Sequence, residues 1–187
     1  MVETGQPPDL FSALSAFVRA LPEPAPDYCL IGALALGVWG AVRATQDIDF
    51  LILLDEKHRD ALTASLSAAG FELDRGWSDL NPMVGESVTR FRFGLRPVDL
   101  LHARDAFHRE ALARRRAVAI ENLTIEIASP EDLILLKLRA GRDQDFVDVA
   151  GIVTRQKSAL DLGYMRAWAG RLGLTGELEY ALKAGAA

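Results

Sequence analysis

The chain has 187 residues, half of them apolar and a quarter charged, with a formal net charge of −5. That balance describes a folded domain with a real core, not a disordered chain, and it argues against non-specific nucleic-acid binding while leaving room for a local basic face. No apolar run approaches the length of a bilayer span, and the acidic, proline-bearing start lacks the basic stretch of a signal peptide, so the expectation is a cytoplasmic protein without a membrane partner.

The elements follow from the pattern in chain order. Leu10, Phe11, Leu14, Phe17, Val18 and Leu21 recur at helical spacing, and Pro22, Pro24 and Pro26 break that helix. Tyr28 to Ile31 reads as a short buried strand containing the single cysteine, Cys29, as a structural thiol. Gly32 turns the chain into a small-residue helix through Trp39. Asp47 to Leu54 is the best strand, and a helix from Glu56 to Ala69 closes at Gly70. Phe71 to Asp74 suggests a further strand, and Gly76 to Gly85, with Asn81-Pro82, reads as a loop. Ser87 to Phe93 alternates as a strand, with Arg90 and Arg92 on one face. Pro97 to Leu101 makes another, its proline suiting an edge or a strand start.

Ala103 to Arg115 is expected to be helical, and Val118 to Ile127 a hairpin. The clearest helix start is Ser129-Pro130-Glu131-Asp132: a hydroxyl cap, a proline at the first helical position and an acid at the capping-box position. Gly141 ends that helix. The rest, through Leu182, is helical by pattern, and the Ala/Gly-rich end from Ala184 to Ala187 reads as frayed. The fold class is α+β, a mixed sheet flanked by helices with a helical C-terminal part, divided as 1–128 and 129–187.

Asp47 and Asp49 carry the chemistry. Two residues apart on a strand, they point the same way, and like charges held that close call for a cation between them. If the strand bearing Asp99 pairs alongside, three carboxylates converge. Mg²⁺ suits such oxygen ligands together with substrate phosphates, with Mn²⁺ as its alternative, and two ions would clamp both oxygens of an in-line phosphoryl displacement. The plain alternative is that acids at strand starts keep those ends wet. Gly32-Ala33 stands where a strand meets a helix, and free amides there suit a triphosphate.

Gly32-Ala33, a helix and then Asp47-Ile48-Asp49 resembles the signature of the polymerase-beta-like nucleotidyltransferases: a Gly-Gly or Gly-Ser pair, Asp-x-Asp, and a later acid that Asp99 matches. Arg43-x-Thr45-x-Asp47-x-Asp49 is similar to the minimal bacterial nucleotidyltransferases related to AbiEii-type abortive-infection toxins. So is the later run from Ser129 to Ile134 with Lys137, Arg142, Asp145 and Asp148. The resemblance covers residues 28 to 155 and implies a nucleotidyltransferase-like fold and a Mg²⁺-dependent transfer of NMP from an NTP to an acceptor hydroxyl. The acceptor would be RNA (tRNA in particular), a protein or a small molecule.

It further implies that Asp47, Asp49 and Asp99 hold metal, with Asp99 helping to deprotonate the acceptor. Lys137 would neutralise phosphate, Arg43 and Thr45 would steady the loop or a phosphate, and Gly32, Ala33 and Asp148 would belong to the nucleotide site. A toxin role in a toxin–antitoxin pair follows by the same resemblance. Ala33 departs from the pattern, since alanine keeps the backbone N–H but supplies no hydroxyl donor. It favours the rival reading, a weak or inactive binding module such as an antitoxin partner.

Other residues read more plainly. By residue pattern alone, Lys137 among leucines is a stem that snorkels to water. Asp145 balances Arg139 and Arg142, and Asp148 either does the same or belongs to the site. Arg114-Arg115-Arg116 is a solvated helix end. Arg90 and Arg92 are either a solvated face or contacts for an acceptor's phosphates. His58, His102 and His108 lie at no metal-ligand spacing. Trp39, Trp77 and Trp168 are packing residues, with Trp77 also placed to stack a base.

Overall fold

The structure, a computed structural model, describes residues 9–40, 42–85 and 87–186. Its first elements are α1 (Leu10–Arg19), β1 (Tyr28–Ile31), α2 (Gly32–Trp39), β2 (Ile48–Ile52), α3 (Glu56–Ala68) and β3 (Phe71–Leu73). Then come α4 (Arg75–Leu80), α5 (Pro82–Gly85), β4 (Val88–Phe93), β5 (Arg96–His102), α6 (Ala106–Ala113), β6 (Arg116–Ile120) and β7 (Leu123–Ile127). Four helices complete the chain: α7 (Pro130–Ala140), α8 (Asp143–Gln156), α9 (Leu162–Leu172) and α10 (Thr175–Ala186).

The seven strands form one mixed sheet in the order β3-β4-β5-β2-β1-β7-β6. β2 runs parallel to β5 and β1 parallel to β7, while the other pairs are antiparallel. Phe17 of α1 stacks on Phe50 of β2 at 4.0 Å between ring centroids and meets Tyr28 and Phe71 edge-on. Each fully buried side chain of this size stabilises the fold by about 1.5–3 kcal/mol. Along β2 the even residues Ile48, Phe50 and Ile52 share the face of that aromatic cluster, and Asp49 lies on the other. The helices α7 and α8 pack on α2 and so stand opposite the acid-bearing face.

Local chemistry explains the boundaries. Asp9 accepts a hydrogen bond from the Ser12 amide at 2.7 Å to start α1. Ser129 does the same for α7, accepting from the Asp132 amide at 3.1 Å and donating its hydroxyl to the Asp132 carboxylate at 2.5 Å. Gly141 closes α7 with φ +67°, a left-handed conformation glycine adopts freely.

Several expectations need correction. The segment 76–85 is not an open loop but lies in the two short helices α4 and α5, the first of them started by the Asp74 side chain, which accepts from the Trp77 amide. Asp47 lies just before β2 rather than within it, and the helix expected from Ala103 begins at Ala106 because Asp105 caps it. Pro97 sits near the start of an interior strand, so the edge alternative falls away. The C-terminus is not frayed through Ala186: α10 reaches it, the Gly185 carbonyl accepts from Thr154 at 2.9 Å, and Gly185 leaves no space for a Cβ against Val153. Ala187 and residues 1–8, including the acidic start, lie outside the described residues.

The arginine run is not a solvated helix end either. Arg114 meets Glu131 and Asp132, buried at the first turn of α7, and lies 3.7 Å from the Tyr164 ring centre. Arg115 holds Asp27 at 2.9 Å, and Arg116 faces Glu131 at 3.7 Å. Two buried carboxylates demand compensating charge, and the run supplies it.

Candidate active site

At the end of β1 the chain turns at Gly32, whose φ is +66°. Ile31 pairs with Asp49 across the antiparallel β1/β2 ladder, which sets the Asp49 side chain beside that turn. A Cβ on residue 32 would lie 2.0 Å from Asp49 Oδ2, so the carboxylate occupies space that only glycine leaves. Asp99 is the register partner of Asp49 on parallel β5, and Arg90 is the partner of Asp99 on antiparallel β4.

Arg90 grips Asp99 with both arms of its guanidinium, Nε at 2.7 Å and Nη2 at 2.6 Å. Its own cation sits 4.3 Å from the centre of the Trp77 ring. Trp77 thus stacks on an arginine, and Arg92 faces Asp74 at 3.5 Å rather than being a bare solvated face. Asp47 is steadied by Thr45, whose hydroxyl lies 3.3 Å from both its amide nitrogen and its carbonyl oxygen. Burial, then the charges of Asp99 and Asp47, raise the Asp49 carboxyl to a pKa of about 6, with Arg142 and Lys137 pulling the other way.

The opposite wall is cationic. Lys137 is only 4% exposed, so it does not snorkel: Nζ donates to Asp148 at 2.6 Å and to Asp145 at 3.3 Å. Arg43 Nε reaches Asp148 at 3.2 Å, and Arg142 Nε reaches Asp145 at 2.7 Å. Arg139, expected to share these acids, pairs with Asp105 instead at 2.6 Å. Burial pushes both Asp145 and Asp148 upward, but Arg142 for the first and Lys137 for both more than offset it, leaving each below the usual carboxylate range. The lysine and the two carboxylates form one buried, charge-assisted hydrogen-bonded cluster.

These walls enclose a cleft of about 370 Å³. Gly32, Ala33, Asp47 and Asp49 line one side, with Arg43, Lys137 and Arg142 across from them. Among the described residues no side chain caps the start of α2, because its N-cap is Ile31, so the first-turn amides keep their donors for an anion. Of the residues the sequence singles out, Asp99 and Asp148 do not line the cleft; Asp99 is the register neighbour of Asp49 and Asp148 accepts from Lys137.

Among the described residues no group of three or more His, Cys, Asp or Glu is gathered tightly enough to hold a metal ion, and Asp99 is turned to Arg90. The donor set nevertheless suits a hard divalent cation: Asp47 and Asp49 present oxygens to one cleft, and their repulsion is what such a charge relieves. Sequence reasoning missed the Arg90 clamp, although the alternation of β4 with Asp99 downstream is its signal. It also gave Arg142 no place in the cleft.

The fold is that of the nucleotidyltransferases. The crystal structure of ANT(2'')-Ia in complex with adenylyl-2''-tobramycin is 17% identical over 83% of this chain and 93% of its own, with a TM-score of 0.55. The crystal structure of the lincosamide antibiotic adenylyltransferase LnuA, lincomycin-bound, is 16% identical over 81% of this chain and 96% of its own, at 0.51. An antigenic nucleotidyltransferase-like protein from Paracoccidioides brasiliensis is 19% identical over 91% of each chain, at 0.53. No protein-family profile matches the sequence. No curated protein matches it either.

Proposed function

We propose that this protein is a Mg²⁺-dependent nucleotidyltransferase that moves a nucleoside monophosphate from an NTP to an acceptor hydroxyl. One observation carries the reading: within a nucleotidyltransferase-like fold, Asp47 and Asp49 face Arg43, Lys137 and Arg142 across a single cleft beside an uncapped helix start. Asp47 and Asp49 would hold the metal, Mg²⁺ with Mn²⁺ as the alternative, and it would supply positive charge at the phosphates. The triphosphate lies against the amides of Gly32 and Ala33, with Lys137, Arg43 and Arg142 balancing its charge.

Held by Arg90, Asp99 takes the proton from the acceptor hydroxyl as its oxygen attacks the α-phosphorus. The bond to the bridging oxygen breaks and pyrophosphate leaves. Positioning and charge stabilisation do most of the work in such chemistry. RNA, protein and small-molecule acceptors all fit this step. The small-molecule class is supported by neighbours bound to adenylyl-tobramycin and to lincomycin. A toxin role with an antitoxin partner rests on the resemblance of the Arg43–Asp49 and Lys137–Asp148 patterns.

The test is incubation with labelled NTPs, Mg²⁺ and a cell extract separated into RNA, protein and small-molecule fractions, beside Asp49→Asn. Label in one fraction, absent with the variant, is the expected result; equal labelling by both removes the reading. The second reading, a weak or inactive binding module, is favoured by Ala33, which supplies no hydroxyl donor. It predicts NTP binding by calorimetry without transfer.

A further inference from the structure

A second hollow of about 310 Å³ adjoins the cleft, and the two share Leu101, Leu136 and Ala140 as a common wall. Leu101 is two residues beyond Asp99 on β5 and therefore on the same face of the sheet. A molecule that presents a hydroxyl at Asp99 can lay its next group over Leu101 into this hollow.

The far side is polar and carries excess positive charge. Among the described residues, Arg104 and Arg139 both line it, against one carboxylate, Asp105. That carboxylate is already engaged, accepting from the His108 amide at 2.8 Å as the cap of α6 and from Arg139 Nη1 at 2.6 Å. Arg104 is exposed and has no carboxylate partner among the described residues. The imidazole of His108, buried between them, lies 3.5 Å from Arg139 Nη1. Two guanidinium groups lining one hollow match the oxygens of a phosphate, and they repel an acceptor carrying ammonium groups.

We propose that this hollow is an anion subsite that holds a phosphate of the acceptor. The acceptor is then a phosphorylated molecule, either a mononucleotide-like compound or the end of an RNA strand. What the anion is for rests on the nucleotidyl-transfer reading; whether it binds does not.

The experiment titrates two fluorescent probes, a nucleoside 5'-monophosphate and a short single-stranded oligoribonucleotide, onto the wild type, Arg104→Ala and Arg139→Gln. A methylene-bridged ATP analogue with Mg²⁺ is present at saturation, and calorimetry of that analogue on each protein serves as control. Each variant is expected to weaken at least one probe about tenfold while analogue affinity stays within about twofold. Loss for the mononucleotide alone supports a small phosphorylated acceptor, and loss for the oligoribonucleotide supports an RNA end. No probe binding to the wild type, equal affinities across all three proteins, or a matching loss of analogue affinity overturns the subsite. Probe binding that the variants weaken, in a protein that binds none of the four methylene-bridged NTP analogues, keeps the subsite and removes nucleotidyl transfer.

Discussion

Asp49 lies in the space that a side chain on residue 32 would fill, with Oδ2 2.0 Å from where that Cβ would be. The glycine and the acid, seventeen positions apart, therefore depend on each other. The turn is left-handed and cannot widen without breaking the Ile31–Asp49 pairing.

Gly32→Ala is accordingly expected to lose NTP binding and about 2–4 kcal/mol of stability, from the left-handed backbone and the clash together. Urea unfolding and calorimetry read the two effects. A variant that binds and unfolds like the wild type would show the acid free to swing away.

The raised Asp49 pKa has a defined sign. In the fold the carboxyl titrates near about 6, against 3.8 ordinarily, so the native state holds a proton that the unfolded chain has already released. This contribution to stability is greatest below pH 4 or so and falls as pH rises to about 6, by up to about 3 kcal/mol. Asp49→Asn is expected to melt higher than the wild type at pH 8, lose that advantage near pH 4, and transfer no nucleotide. Paired melts at the two pH values check it; an advantage that does not change with pH refutes the buried-charge account.

On the proposed nucleotidyl-transfer reading, Arg90 positions Asp99. Its bidentate grip is part-buried, and Arg90→Gln leaves a carboxylate beside Asp49 with its counter-charge gone. A loss of about 1–3 kcal/mol is expected, with kcat falling while KM for the NTP stays within about twofold. Arg90→Lys restores charge without the fork and should recover the stability more fully than kcat. An unchanged kcat in Arg90→Gln would reduce Arg90 to a structural role.

Lys137→Met removes the shared ammonium and leaves Asp145 to Arg142 and Asp148 to Arg43 and Gln144, an expected cost of about 1–3 kcal/mol. Both acids are held below the ordinary range, so the stability they contribute is present above about pH 4 and disappears as pH falls through their lowered values. The gap between wild type and variant should therefore narrow in acid. Denaturant titrations down to about pH 2.5 measure it, and a constant gap would mean the lysine is held by packing alone.

Much of the local structure is written in short-range signals. Ser129-Pro130 and Gly141 bound α7 because capping and left-handed geometry depend on neighbours a few residues away. The alternation of β2 likewise assigns Phe50 and Asp49 to opposite faces. Segment 76–85 misleads for a related reason: Asp74 caps a helix too short for any apolar period to reveal.

What the sequence by itself determined is the mixed α+β pattern and the identity of the facing acids, Asp47 and Asp49, with the glycine turn before them. Strand register, which couples residues far apart in the chain, decided the rest. It set Asp99 between Asp49 and Arg90, so that a carboxylate expected to turn to a metal is held by a guanidinium. Packing of α7 and α8 on α2 buried Lys137 between two acids rather than letting it reach water. A linear pattern records which charges exist, but only the folded chain decides which of them are brought within hydrogen-bond distance.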